Sequence, residues 1–421
     1  MKKRIISAVV AGLTCVTATA VFMTSPASAA VPTRGTFTPV DPLRVLDTRD
    51  GTGVVGQHPG PLGAGQVTKL HITGVGGVPE IGAAAVVLNV TVTQAPGAGF
   101  ITVYPCGDSR PNASSVNFEH GVDVANQVTA KVGTNGDVCF FANAQVQLIA
   151  DLNGWYADDF AAVPGYRYHE VDPSRILDTR DGTGLGTRAI APLAAGEVIA
   201  LTIPGSGGVP ADADVRAVSM NVTTDNPMSA GYLTVFPCDH VRPNSSNINF
   251  DPASSGTVAN LVTVKVPQTG QVCIFASVST NVISDVQGYF APGPGSVFTS
   301  VAPVRILDSR DGTGVVGSHA GRLGRGEVLV IHVTDANSVP TDAKAVLLNL
   351  TITQAENRGF ATVFPCGHLR PNASNLNFTR GVDRANLVKA RVGDNGNVCV
   401  YVSEGTQVIA DLNGYFTPVA A

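Results

Sequence analysis

The sequence predicts an all-β protein, three tandem β-sandwich domains of jelly-roll type with one disulfide in each. Three observations predict it. One set of phrases recurs three times at a spacing of about 130 residues. Within each copy the apolar residues alternate with polar ones at a period of two. No window of ten or more residues beyond the N-terminal leader carries a helical stripe.

The repeat sets the architecture. Each copy opens with an Asp-Thr/Ser-Arg-Asp-Gly-Thr-Gly phrase, preceded by Arg44, Arg175 and Arg305. An Asn-x-Thr strand follows at Asn89, Asn221 and Asn349, and then Gly-[FY]-x-Thr-Val-[YF]-Pro-Cys ending at Cys106, Cys238 and Cys366. Arg-Pro-Asn comes next, then Asn-Phe, and each copy closes on Asp-x-x-Gly-aromatic-aromatic from Asp151, Asp285 and Asp411. A period this long suits a domain with its own core rather than a solenoid unit. The boundaries are therefore residues 1–29 for a leader, then repeats over 36–157, 166–291 and 297–418. Short joints with Pro predict semi-rigid beads.

Within copy one, strands are expected over 66–72, 86–93, 100–104, 128–132, 138–141 and 146–152. The segment Val86-Val87-Leu88-Asn89-Val90-Thr91-Val92-Thr93 reads as a half-buried strand. Several short strands with turn signals between them make a sandwich or a barrel, and the sandwich is preferred.

Lys2, Lys3 and Arg4, an apolar stretch from Ile5 to Val21 and Ala27-Ser28-Ala29 have the form of a secretory signal cleaved after Ala29. Its loss takes three positive charges and moves the net charge from −5 to −8. Nucleic acid is not expected as a partner, because phosphate binding needs clustered Lys and Arg. No later segment is apolar for long enough to span a bilayer, and residues 416–421 give no hydrophobic tail, so no membrane anchor is expected. The oligomeric state is left open.

Six cysteines remain beyond the leader, two per copy: Cys106 and Cys139, Cys238 and Cys273, Cys366 and Cys399. Fifteen pairings exist in principle, and a pair inside each exported domain is the simplest. A zinc site is disfavoured, because no CxxC neighbour or recurring His accompanies them. No cofactor and no metal are expected.

The Asp-Thr/Ser-Arg-Asp-Gly phrase offers oxygen ligands for calcium, but Arg49 sits between the two acids Asp47 and Asp50 and the spacing is not that of an EF-hand. The preferred reading is structural: Asp50-Gly51 turns the chain, and Arg44, Asp47, Arg49 and Asp151 form ion pairs. Arg175, Asp178, Arg180 and Asp285 repeat the set, as do Arg305, Asp308, Arg310 and Asp411. Asp151 needs such a partner because it interrupts an apolar strand.

The loop after the first cysteine is the candidate ligand-binding site. It brings together Asp108, Arg110 and Asn112, then His240, Arg242 and Asn244, then His368, Arg370 and Asn372. Such groups hydrogen-bond sugar hydroxyls and carboxylates. The competing reading is a turn whose side chains satisfy loop carbonyls, and the same structural reading applies to Asn126, Asn260 and Asn386 and to Lys131, Lys265 and Arg391. Trp155, Tyr289 and Tyr415 are expected in a core or a domain joint. No nucleophile elbow, no H-E-x-x-H helix and no histidine common to all three copies is present, so no catalytic residue is assigned.

The phrases RILDTRDGTG, LNVTVT, VFPCG with RPNASNLNF, and ADLNGYF together resemble a repeat of secreted actinobacterial proteins, over nearly the whole chain beyond the leader. That resemblance implies accessory or cell-surface modules of the kind that stand beside peptidoglycan amidases and other exoenzymes. The sequence thus points to a secreted, extracellular or loosely wall-associated, non-catalytic binding or structural protein. Its expected partner is a cell-wall polymer or extracellular glycan, and it would act by multivalency. The alternatives are a lectin-like carbohydrate-binding protein and a glycan hydrolase using carboxylates.

Overall fold

Eight strands make each repeat. In copy one they are β1 (Phe37–Asp47), β2 (Val67–His71), β3 (Ala83–Thr93), β4 (Gly99–Pro105), β5 (Val116–Phe118), β6 (Val124–Lys131), β7 (Asp137–Ala142) and β8 (Gln147–Ala157). The computed structural model describes residues 34–419 except 55–58, 255, 316–319 and 336–337, so the expected leader lies outside the described residues. Among the described residues there is no α-helix, and no helix is long and apolar enough to cross a membrane.

The strands divide between an inner sheet, in the order β1-β8-β3-β6, and an outer sheet, β2-β7-β4-β5. All pairings are antiparallel, and the chain passes from one sheet to the other six times. This is the jelly-roll order, and copies two and three repeat it. The disulfides Cys106–Cys139, Cys238–Cys273 and Cys366–Cys399 each tie the residue just past one outer-sheet strand to the neighbouring strand, with sequence separations of 33, 35 and 33. Two strands escape the sequence reading. β1 contains Pro39 and Pro42 and is bulged between Pro39 and Leu43, which suits an edge strand and hides its period. β5 is only three residues long.

β3 shows why the sandwiches are not beads. Val86, Leu88, Val90 and Val92 point between the two sheets of copy one, while Ala85 and Val87 point the other way into a second core shared by all three copies. Asn89 and Thr91, on that same face, are buried too. The polar half of the alternation therefore faces neighbouring repeats, not water.

The shared core is built on six rings, two from each copy: Phe37 and Tyr156, Tyr168 and Phe290, Phe298 and Phe416. Phe37–Phe290 centroids lie 4.5 Å apart, Tyr156–Phe298 4.3 Å and Tyr168–Phe416 4.4 Å, so the tightest ring pairs all cross between repeats. Each buried ring contributes about 1.5–3 kcal/mol. The second aromatic of each closing phrase supplies a ring here, while Trp155 and Tyr289 before it turn into the sandwich cores of their own copies. The glycine of that phrase makes the room: a Cβ on Gly154 would lie 2.4 Å from the Phe37 ring, and one on Gly414 2.4 Å from that of Phe298.

Backbone contacts close the circle. Phe37 and Tyr166 form a two-way bridge, Ser296 pairs with Tyr168, and the Phe298 amide donates to the Gly35 carbonyl at 2.9 Å. The three repeats thus form one unit, correcting the expectation of beads on Pro-containing joints.

Candidate functional site: three clefts at the seams

The opening phrase folds into a charged corner. β1 and β8 set Arg44 opposite Asp151, and Arg44 Nε donates to Asp151 Oδ1 at 2.9 Å while Nη1 reaches Asp47 Oδ2 at 3.4 Å. Arg49 clamps Asp47 from the other side, with Nε to Oδ1 at 2.8 Å and Nη2 to Oδ2 at 2.6 Å. Arg175, Asp178, Arg180 and Asp285 repeat the corner, as do Arg305, Asp308, Arg310 and Asp411. Burial pushes the Asp151, Asp285 and Asp411 carboxyls up against the pull of their arginines. Burial also pushes the Asp47 carboxyl up, but the Arg49 hydrogen bonds and the Arg44 charge outweigh it and leave it below its ordinary value. The turn closes on Gly53, whose φ is +66° and where a Cβ would lie 1.8 Å from the Val45 carbonyl oxygen. Both Asp47 oxygens are held by guanidinium, and Asp50 Oδ1 takes the Thr52 amide at 2.9 Å.

The Arg-Pro-Asn arginines lie over rings of the outer sheet. Arg110 stands 3.9 Å from the Phe141 centroid, Arg242 4.1 Å from that of Phe275 and Arg370 3.9 Å from that of Tyr401. His240 and His368 face the preceding repeat instead, His240 Nε2 lying 3.4 Å from Asp41 Oδ2 and His368 Nδ1 3.7 Å from Asp172 Oδ2. Lys265 and Arg391 pair with the same two aspartates. Asp108, where the others have His, is exposed.

What these loops do next is not readable from linear order. Each docks on the corner of a different repeat. Asn89 Nδ2 donates to the Ser246 carbonyl, Asn221 Nδ2 to that of Ser374 and Asn349 Nδ2 to that of Ser114, all at 2.6 Å. A second asparagine set closes a ring: Asn126 Oδ1 accepts the Leu387 amide, Asn260 Oδ1 that of Gln127 and Asn386 Oδ1 that of Leu261, each at 3.1 Å. These repeated asparagines are the seams.

Between each loop and the corner it meets lies a cleft. One holds Asn244, Ser246, Asn249 and Tyr232 of copy two against Arg44, Arg49 and Asp123 of copy one. The next holds Asn372, Ser374, Asn377 and Phe360 against Arg175, Arg180 and Asp225. The third holds Arg110, Asn112, Asn117 and Phe100 against Arg305, Arg310 and Asp383. Their volumes are about 170, 260 and 210 Å³. Each offers one half-buried ring, two corner arginines, amides and one carboxylate, and the third adds Arg110. Of the loop residues expected to bind, Arg110, Asn112, Asn244 and Asn372 line a cleft, whereas Asp108, His240, Arg242, His368 and Arg370 do not. The rings and the acids Asp123, Asp225 and Asp383 were missed; the recurring Gly-[FY]-x-Thr-Val phrase was the available signal for the rings.

No family model and no curated protein matches the chain. Two solved structures are similar over most of their length. One, described as "The Triple Jelly Roll Fold and Turret Assembly in an Archaeal Virus", matches 90% of both chains at 10% identity with a TM-score of 0.18. The other, "Life in the extremes: atomic structure of Sulfolobus Turreted Icosahedral Virus", matches 92% of both at 8% identity and 0.19. The superpositions are too loose to bear on what this chain does.

Proposed function

We propose that this chain is a secreted, non-catalytic protein of the actinobacterial cell surface that binds a wall polymer or other extracellular glycan through the three seam clefts. One observation carries the reading: the same set of groups recurs at all three seams, although no single repeat contains it. A half-buried ring beside amides, guanidinium groups and a carboxylate suits a sugar, whose apolar face stacks while its hydroxyls take directed hydrogen bonds. Each site alone is shallow and open, so affinity would come from three sites on one body meeting a repeating polymer.

A hydrolase is the less favoured reading. Glycoside hydrolysis uses two carboxyl groups across the scissile bond, and each cleft is lined by one. The corner acids behind it are each held by arginines of their own repeat.

Co-sedimentation of the full chain with purified cell walls, followed by assay of the supernatant for sugars and peptides, tests this. The expected result is depletion of the protein without released fragments, abolished when Phe100, Tyr232 and Phe360 are all changed to Ala. Release of fragments would overturn the non-catalytic reading, and depletion by the triple variant would overturn the clefts as the site.

A further inference from the structure

The ring of seams encloses a polar cluster that neither the clefts nor the core needs. Lys389, 3% exposed, extends from copy three beneath the shared rings, its ammonium nitrogen 4.7 Å from the Phe290 centroid and 5.4 Å from that of Tyr168. The equivalent residues are Thr129 and Thr263, so the lysine breaks the threefold pattern. Among the described residues it has no carboxylate partner. Its Nζ lies 2.6 Å from Ser219 Oγ and 3.2 Å from Thr263 Oγ1, both of copy two. Burial alone pushes this amine well below its ordinary value.

Gln127 reaches the same hydroxyl from copy one. Its Nε2 lies 3.1 Å from Thr263 Oγ1, and its Oε1 accepts the Thr263 backbone amide at 2.5 Å. Gln127, Thr263 and Ser219 are all 1% exposed or less. A hydroxyl nucleophile, an amine to take its proton, a carboxamide against it and an N–H on the carboxamide oxygen therefore meet in a site closed to water.

We propose that this cluster forms an ester cross-link between Thr263 and Gln127, covalently joining copies one and two. Thr263 Oγ1 attacks Gln127 Cδ as its proton passes to the Lys389 amine, and the Thr263 amide holds the developing oxyanion. The Cδ–Nε2 bond then breaks, the nitrogen takes the proton from Lys389 and ammonia leaves. Lys389 returns to its starting state, no oxidant or second substrate enters, and burial shields the ester from hydrolysis.

Intact mass of the purified protein, folded first and then denatured and reduced, is the test. The expected mass is about 17 Da below that of the sequence, the ammonia lost on acylation of the threonine. A proteolytic map is expected to contain the Gln127 peptide joined to the Thr263 peptide and split by hydroxylamine. Thr263→Val and Lys389→Met are each expected to restore the full mass. An unmodified mass in the wild-type protein would overturn the proposal without recourse to any variant. So would a deficit that persists in Thr263→Val, which would place the lost ammonia elsewhere, as at an Asn-Gly succinimide.

Discussion

Asp225 stands directly across the strand pair from Thr257 and accepts a hydrogen bond from its Oγ1 at 2.7 Å and another from Arg180 Nη1 at 3.1 Å. Copies one and three hold the inverse arrangement, with Thr93 and Thr353 on the first strand and Asp123 and Asp383 just before the second. The acid has changed strands and kept its cleft. A purely local role in strand pairing would not require that.

The exchange Asp225→Thr with Thr257→Asp is accordingly expected to leave wall binding and thermal stability unchanged. Asp225→Thr alone should weaken binding and cost about 0.2–1 kcal/mol, the scale of an exposed ion pair. Titration of wall polymer with the three variants checks this, and equal losses in the single and double variants would contradict it.

The seam between copies three and one lacks a contact the other two keep. Asp41 and Asp172 each face a His and a Lys or Arg, but the equivalent of these aspartates is Ala302 and the equivalent of the histidines is Asp108. Ala302→Asp with Asp108→His would recreate the triad with Lys131. A gain of about 0.2–1 kcal/mol in thermal or chemical denaturation is expected. Ala302→Asp alone should give less, because Asp108 stays nearby.

Acid stability rests on the clamped corner aspartates. Asp47, Asp178 and Asp308 sit below the ordinary carboxyl value of 3.8 in the folded protein. Their contribution is full above that value and is lost as the pH falls through the lower folded one. Asp151, Asp285 and Asp411 are shifted upward and so give no protection in acid. The melting temperature is expected to hold from neutral pH to about 4 and fall below it. Asp47→Asn should cost about 1–3 kcal/mol at pH 7, less than a fully buried pair because Arg44 and Arg49 keep access to water. It should also flatten the acid limb; a variant curve parallel to the wild type would exclude this origin.

The sandwich class, the strand alternation and the cysteine pairing could be read from the sequence because each depends on local period or on residues repeated within one copy. The seams could not. Asn89 and Ser246 are far apart in the chain, and a polar residue at an alternate strand position looks the same whether its face meets water or another repeat. The rings of the shared core went unread for the same reason. Phe37 and Phe416 mark the ends of copies one and three, and nothing local shows that both ends converge on one axis. Copy-to-copy differences such as Asp225 for Thr93, or Lys389 for Thr129, carried the missing information, since they make sense only once the three copies touch.

A repeat isolated from its neighbours is the sharpest test of that convergence. Residues 297–418 would keep their own sandwich core and the Cys366–Cys399 bridge, worth about 3–4 kcal/mol in the loop-entropy account. They would also expose Phe298, Ala345, Leu347, Leu387 and Phe416, all now buried against the other two repeats. An apolar patch of that kind does not stay in water. The fragment is expected to assemble into trimers or aggregate in sedimentation velocity, and Phe416→Ala should cost the full chain about 3–5 kcal/mol. Since each cleft takes its loop from one repeat and its corner from another, a monomeric fragment should also fail to bind wall polymer at any concentration. A folded, binding monomer would show that each repeat is self-sufficient and that the seams only hold the copies together.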